Sequence, residues 1–77
     1  MNVDKLIAAE KEFIKERIQR NKEQIEDEAK NENSNFGYIL FLMSGVENDL
    51  KLLALMDMRN ITLEEAQKIL SDMTFPI

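Results

Sequence analysis

The first thirty residues alternate between apolar and polar positions with the spacing of an amphipathic helix. The apolar positions fall on one side of a helical wheel and the charged ones on the other, with Ile7, Ile14 and Ile18 on the apolar side. Residues 4–30 are therefore predicted to form a helix, with Asn2 or Asp4 capping its start. At about 1.5 Å per residue this helix would be roughly 40 Å long, which is long for a domain this small.

A second helix is predicted over residues 36–58, and its opening run, residues 36–43, is almost entirely apolar. Successive residues of a helix point about 100° apart, so the side chains of this run surround the helix axis. A helix that is apolar on every side must be covered on every side. One amphipathic helix and one short helix cannot do this, so we expect self-association or a partner protein to complete the burial, and a second copy of the chain could do so.

The two remaining segments are marked by turn and cap residues. Residues 31–35 contain three Asn and one Ser and predict a linker, with Ser34 or Asn35 capping the second helix. Asn60 suits the left-handed position that ends a helix. Thr62 and Glu65 have the spacing of a capping box, which predicts a third helix over residues 63–73, followed by an apolar tail, residues 74–77.

These elements predict an all-α fold in one domain, residues 1–77. We expect the long first helix and the apolar second helix to form an antiparallel helical hairpin, because the linker between them is short. The short third helix would fold across one end, and two chains would assemble as a dimeric helical bundle. The predicted interface residues are Ile7, Ile14, Ile18, Phe36, Tyr38, Leu40, Phe41 and Met43.

Four polar residues interrupt the apolar stripe of the first helix: Glu10, Arg17, Asn21 and Glu28. One interpretation is an interface seam in which polar groups fix register, with Glu10 and Arg17 paired across an antiparallel dimer axis. The other is that the second half of the helix extends beyond the core and is solvated. We favour the second interpretation.

The second and third helices leave two further questions open. Their methionines either fill gaps in the core, which we favour, or adapt to a binding partner; they are Met43, Met56, Met58 and Met73. Gly45 either marks a close approach of two helices or is merely tolerated within the helix. Asp49 is assigned to the solvent-exposed side of the second helix.

The chain contains no Cys and no His, and their absence excludes several kinds of chemistry. Zinc sites of the usual Cys/His kind, disulfides, thiolate nucleophiles and Ser-His-Asp triads are all ruled out. No acidic calcium-binding loop is present either. We therefore predict no catalytic, cofactor-binding or metal-binding residues, no cofactor and no enzymatic activity.

The formal net charge of −5 restricts the partners. Neither half of the chain is basic, so direct binding to nucleic acid or to an anionic membrane is not expected. The sequence shows no stretch long and apolar enough to span a bilayer and no secretory signal, so a cytoplasmic location is expected. The predicted function is that of a small acidic protein–protein interaction or regulatory module, which acts as a homodimer or higher homo-oligomer and binds another protein. The alternative is an acidic nucleic-acid mimic that antagonises a DNA-binding protein.

Overall fold

A computed structural model describes residues 2–74, which form three α-helices and no strand. These are α1 (Val3–Ala29), α2 (Phe36–Arg59) and α3 (Leu63–Thr74). The prediction of an all-α chain with three helices is confirmed. Of the predicted apolar tail, Thr74 is the last residue of α3, and residues 75–77 lie outside the described residues.

Asparagine side chains and backbone geometry set three of the helix ends. The Asn2 side chain accepts a hydrogen bond from the Asp4 N–H, and the Asn35 side chain accepts one from the Tyr38 N–H. Each bond satisfies one of the amide donors that a helix leaves unpaired at its start. Asn60 is left-handed, with φ 53° and ψ 52°, and ends α2 as predicted.

The start of α3 is held by the predicted capping box. The Glu65 N–H donates to Thr62 Oγ1 over 3.3 Å, and the Thr62 N–H donates to Glu65 Oε1 over 3.3 Å. The Thr62 hydroxyl also donates to Glu65 Oε1 over 3.0 Å. Reciprocal bonds of this kind fix the direction in which a helix leaves its turn.

The core forms where all three helices meet. Its buried members are Ile7, Ile14, Ile18, Leu52, Met56 and Ala66. Ile14, Leu52 and Met56 are the largest of the fully buried side chains, and burying such a residue stabilises the fold by about 1.5–3 kcal/mol. The core therefore lies beside the C-terminal half of α2. The N-terminal half contributes only Ile39 and Leu42 to the buried set.

The molecule is thin. Its principal extents are 47 × 33 × 16 Å, and its radius of gyration is 14.8 Å, against about 11.5 Å for a compact domain of this length. A helix with its side chains is about 10–12 Å across, so the smallest dimension is small for three packed helices.

Two predictions about side-chain placement are wrong. Asp49 was assigned to the solvent-exposed side of α2, but it is only 3% exposed, because it lies on the same side of the helix as Leu42 and Met56. The preferred core interpretation of the methionines holds for Met56 alone among the four. Met43, Met58 and Met73 are all exposed.

Candidate interaction surface

The outer side of α2 carries large apolar side chains in contact with solvent. Phe36 is 74% exposed, Leu40 63%, Met43 48% and Leu50 50%. Together with Glu47 and Ala54, which are also exposed, these residues follow one another at alternating spacings of four and three. We call the six positions the outer seam: Phe36, Leu40, Met43, Glu47, Leu50 and Ala54. This is the spacing by which one helix packs lengthwise against another.

The outer seam exists because α2 is apolar on both sides while its own chain covers only one. Ile39, Leu42, Leu52 and Met56 point inward and are buried. The outer-seam residues lie on the opposite side of the helix and are exposed. The sequence prediction that the chain cannot cover both sides of this helix agrees with these exposed fractions.

The exposed area of the whole chain supports the same conclusion. Its accessible surface is 5964 Å², whereas a compact folded monomer of 9.0 kDa exposes about 4,850 Å². The excess is about 1,100 Å². A standard protein–protein interface covers about 800 Å² on each partner, so the surplus is large enough for one such interface.

An apolar groove lies beside one end of the outer seam, between α2 and α3. It has a volume of about 280 Å³ and is lined by Lys51, Ala54, Leu55, Met58, Leu70 and Met73. Met58 and Met73 form its exposed edges, at 79% and 67% exposure. Methionine side chains adapt their shape to what they contact, so this groove can accept an apolar side chain from outside. We call it the α2–α3 groove.

The predicted interface residues fall into three groups in the structure. Ile7, Ile14 and Ile18 are buried in the core of their own chain. Three others belong to the outer seam: Phe36, Leu40 and Met43. The remaining two, Tyr38 and Phe41, are 40% and 71% exposed and point away from the seam. An interface can therefore use the five exposed residues of this set but not the three isoleucines, which are already buried within their own chain.

A bidentate ion pair links α1 to α2. The Arg17 Nε–H donates to Asp49 Oδ2 over 2.8 Å, and the Nη2–H donates to Asp49 Oδ1 over 2.6 Å. The Asp49 side chain is 5% exposed and that of Arg17 is 35% exposed. The hydrogen bond to Asp49 raises the pKa of Arg17 further, against the opposing effect of partial burial. The guanidinium group also lies 5.3 Å from the centre of the Phe13 ring, a cation–π distance.

The ion pair lines an open cleft of about 540 Å³. Asn21, Ser44, Asn48 and Gln67 add amides and a hydroxyl to its walls, and Phe41 lies at its edge. The one ionic contact among the described residues that line the cleft is the pair of Arg17 with Asp49. We assign this cleft a structural role, that of holding α1 against α2.

The four polar interruptions of α1 face the rest of the same chain. Glu10 Oε1 accepts the Leu63 N–H over 3.1 Å, and Glu28 Oε1 accepts the Asn35 N–H over 3.0 Å. Arg17 binds Asp49, and Asn21 faces Gly45 across the cleft. Neither interpretation given above, an interface seam or a solvated extension, anticipates these partners.

Sequence reasoning missed Asp49, although a signal was present. Asp49 follows Leu42 by seven residues and precedes Met56 by seven, so it lies on the buried side of α2. Arg17 interrupts the apolar stripe of α1 in the same way. Two opposite charges, each within an apolar stripe, indicate a buried pair.

Residues 2–74 contain no helix that is both long and apolar enough to cross a bilayer. Within the same residues, no cluster of three or more His, Cys, Asp or Glu side chains could hold a metal ion. No family model, no curated protein and no solved structure matches this chain.

Proposed function

We propose that this chain is a non-enzymatic protein–protein interaction module that works as a homo-oligomer assembled through the outer seam. The observation that carries the proposal is the set of exposed fractions along one side of α2, where Phe36 and Leu40 leave more than half of their surface in water. Large apolar side chains exposed side by side are typical of interaction sites.

A second copy is the partner that fits this surface best. The spacing of the outer seam is self-complementary, since any helix with alternating spacings of four and three can pack against its own copy. The exposed surplus of about 1,100 Å² matches the area that such a pairing removes from water. Phe and Met are also among the residue types enriched in the buried centre of protein interfaces.

The same proposal includes an antiparallel hairpin of α1 and α2 within each copy. Its support is the order of the contacts along the two helices. Lys11 pairs with Asp57 over 2.7 Å, and Arg17 pairs with Asp49. Further along α1, Glu28 reaches Asn35, just before α2 begins. The positions on α1 rise while those on α2 fall, which is the order of antiparallel neighbours.

Sedimentation velocity over a range from low to high micromolar concentration tests the proposal. We expect the wild-type chain to sediment as a dimer or a higher oligomer. Leu40→Glu places a carboxylate in the middle of the apolar part of the outer seam and should shift the chain to a monomer. Gln24→Glu adds the same charge at an exposed position on α1 and should leave the assembly unchanged.

Circular dichroism of both variants separates loss of assembly from loss of folding. A wild-type chain that stays monomeric at every concentration would refute the proposal. A folded Leu40→Glu variant with an unchanged oligomeric mass would also refute it, because the assembly would then use another surface.

A further inference from the structure

We infer that the two copies pair in antiparallel orientation along the outer seam, so that Phe36 of each copy enters the α2–α3 groove of the other. This inference rests on the proposed function and specifies how the partner is recognised. Three separate features of the chain lead to it: the position of Glu47, the difference in side-chain size between the two ends of the seam, and the location of the groove.

Glu47 is the charged member of the outer seam. A parallel pairing in register would set Glu47 directly against the partner's Glu47, and like charges placed opposite one another oppose association. The six seam positions are symmetric about residue 45. An antiparallel pairing about that point instead sets Glu47 against the partner's Met43. The Glu47 carboxylate then keeps its own ion pair with Lys51, whose Nζ is 3.2 Å away.

The outer seam begins at its largest side chain, Phe36, and ends at its smallest, Ala54. A parallel pairing would place two Phe side chains together at one end and two Ala side chains together at the other, which would splay the helices apart. The antiparallel pairing sets Phe36 against the partner's Ala54, and Leu40 against the partner's Leu50. The largest side chain then faces the smallest and the pairs between them are similar in size, so the two helices keep one distance along the contact.

The α2–α3 groove lies at the place where this pairing puts an aromatic ring. Ala54 is both a seam residue and part of the groove lining, together with Leu55 and Met58. The partner's Phe36, positioned over Ala54, therefore meets a preformed apolar depression of about 280 Å³ rather than a flat surface. Phe36 is 74% exposed in the single chain, so it is available for this contact.

Disulfide trapping distinguishes the two orientations. The chain has no cysteine of its own, so introduced cysteines report only on each other. Phe36→Cys and Ala54→Cys variants are mixed in equal amounts, oxidised mildly, and analysed by mass spectrometry with one variant isotopically labelled. We expect disulfides only between the two different variants. In the antiparallel register, residue 36 of one copy and residue 36 of the other are separated by 18 residues along the helix, or about 27 Å at about 1.5 Å per residue. This distance is far beyond the reach of a disulfide.

A second pair of cysteine variants retains the Phe36 side chain, which the first pair replaces. Leu40→Cys mixed with Leu50→Cys tests the same register closer to its centre, and should again link only the unlike variants. Position 24, exposed on α1, supplies the matched control: Gln24→Cys should link to neither seam variant.

The outcomes separate this inference from the proposed function. Disulfides within each single variant, at 36 with 36 or at 40 with 40, would show a parallel pairing and overturn the inference while leaving the homo-oligomer intact. Dimers that sediment normally but form no disulfide at any seam position would overturn it as well. A monomeric wild-type chain would instead refute the proposed function.

Discussion

Removing Arg17 should destabilise the fold far more than its position on a charged helix suggests. Asp49 is 3% exposed, and both of its oxygens accept hydrogen bonds from Arg17. Arg17→Met keeps the aliphatic stem but leaves that carboxylate buried without a counter-charge. Removing one partner of a buried ion pair typically lowers the free energy of unfolding by about 3–5 kcal/mol. The Arg17 side chain is 35% exposed, so water can reach the site, and we expect about 2–3 kcal/mol.

The assay is urea denaturation followed by far-UV circular dichroism, at one fixed protein concentration because assembly adds to the apparent stability. The double variant Arg17→Met with Asp49→Leu removes both charges together. Apolar replacement of a complete buried pair is often neutral or stabilising, so this variant should unfold within about 1 kcal/mol of the wild type. The two substitutions would then be strongly non-additive.

Lys11→Met provides the matched control. It removes the other cation on α1 that pairs with α2, but its partner Asp57 is exposed, and such pairs contribute less than about 1 kcal/mol. The reasoning fails if Arg17→Met costs no more than Lys11→Met. It also fails if the double variant is less stable than either of its single parents.

Three further predictions concern single positions. Gly45→Ala should raise the free energy of unfolding by about 0.5–1 kcal/mol in the same urea assay, because a new Cβ would meet only Asn21 Nδ2 at 3.9 Å. Gly37→Ala should raise it by less, since its Cβ would lie 3.2 Å from the capping oxygen of Asn35. Glu10→Ala should cost about 1 kcal/mol by removing an acceptor from the start of α3, whereas Glu16→Ala, at an exposed position, should change little. Glu47→Leu should tighten the dimer, measured by sedimentation equilibrium, and a weaker dimer would count against the outer seam.

The acidic-mimic alternative stays a prediction. It requires a partner protein with a basic groove and an affinity that falls steeply with added salt. Sedimentation of the homo-oligomer at low and high salt provides the contrast, since assembly through apolar side chains should be insensitive to salt or strengthened by it.

Local features of the chain could be predicted from the sequence because they depend on neighbouring residues. The caps at Asn2, Asn35 and Asn60 and the capping box at Thr62 each involve side chains within a few positions of the backbone group that they satisfy. Helical spacing likewise identified α1, α2 and α3 as helices. The inability of one chain to cover α2 followed from the same spacing, combined with the length of the chain.

Features that depend on the relative placement of helices could not be predicted in this way. The partner of Arg17 is 32 residues away, and that of Glu10 is 53 residues away. No local pattern specifies such partners, although the seven-residue spacing of Asp49 from Leu42 and Met56 does indicate that Asp49 lies on the buried side of α2. The isoleucines of α1 illustrate the same difficulty, because an apolar stripe looks identical whether it faces its own chain or another copy.

The hydrogen bond from the Leu63 N–H to Glu10 has a consequence for how the chain folds. With 12 residues, α3 is at the length where an isolated helix is marginal in water. Its buried contact, Ala66, belongs to the cluster that also contains Ile7, Ile14 and Ile18. α3 therefore takes one of its N-terminal hydrogen bonds and part of its packing from α1, which lies far from it in the sequence. The whole chain should fold and unfold as one cooperative unit, and residues 36–74 alone should lose the helical signal of α3.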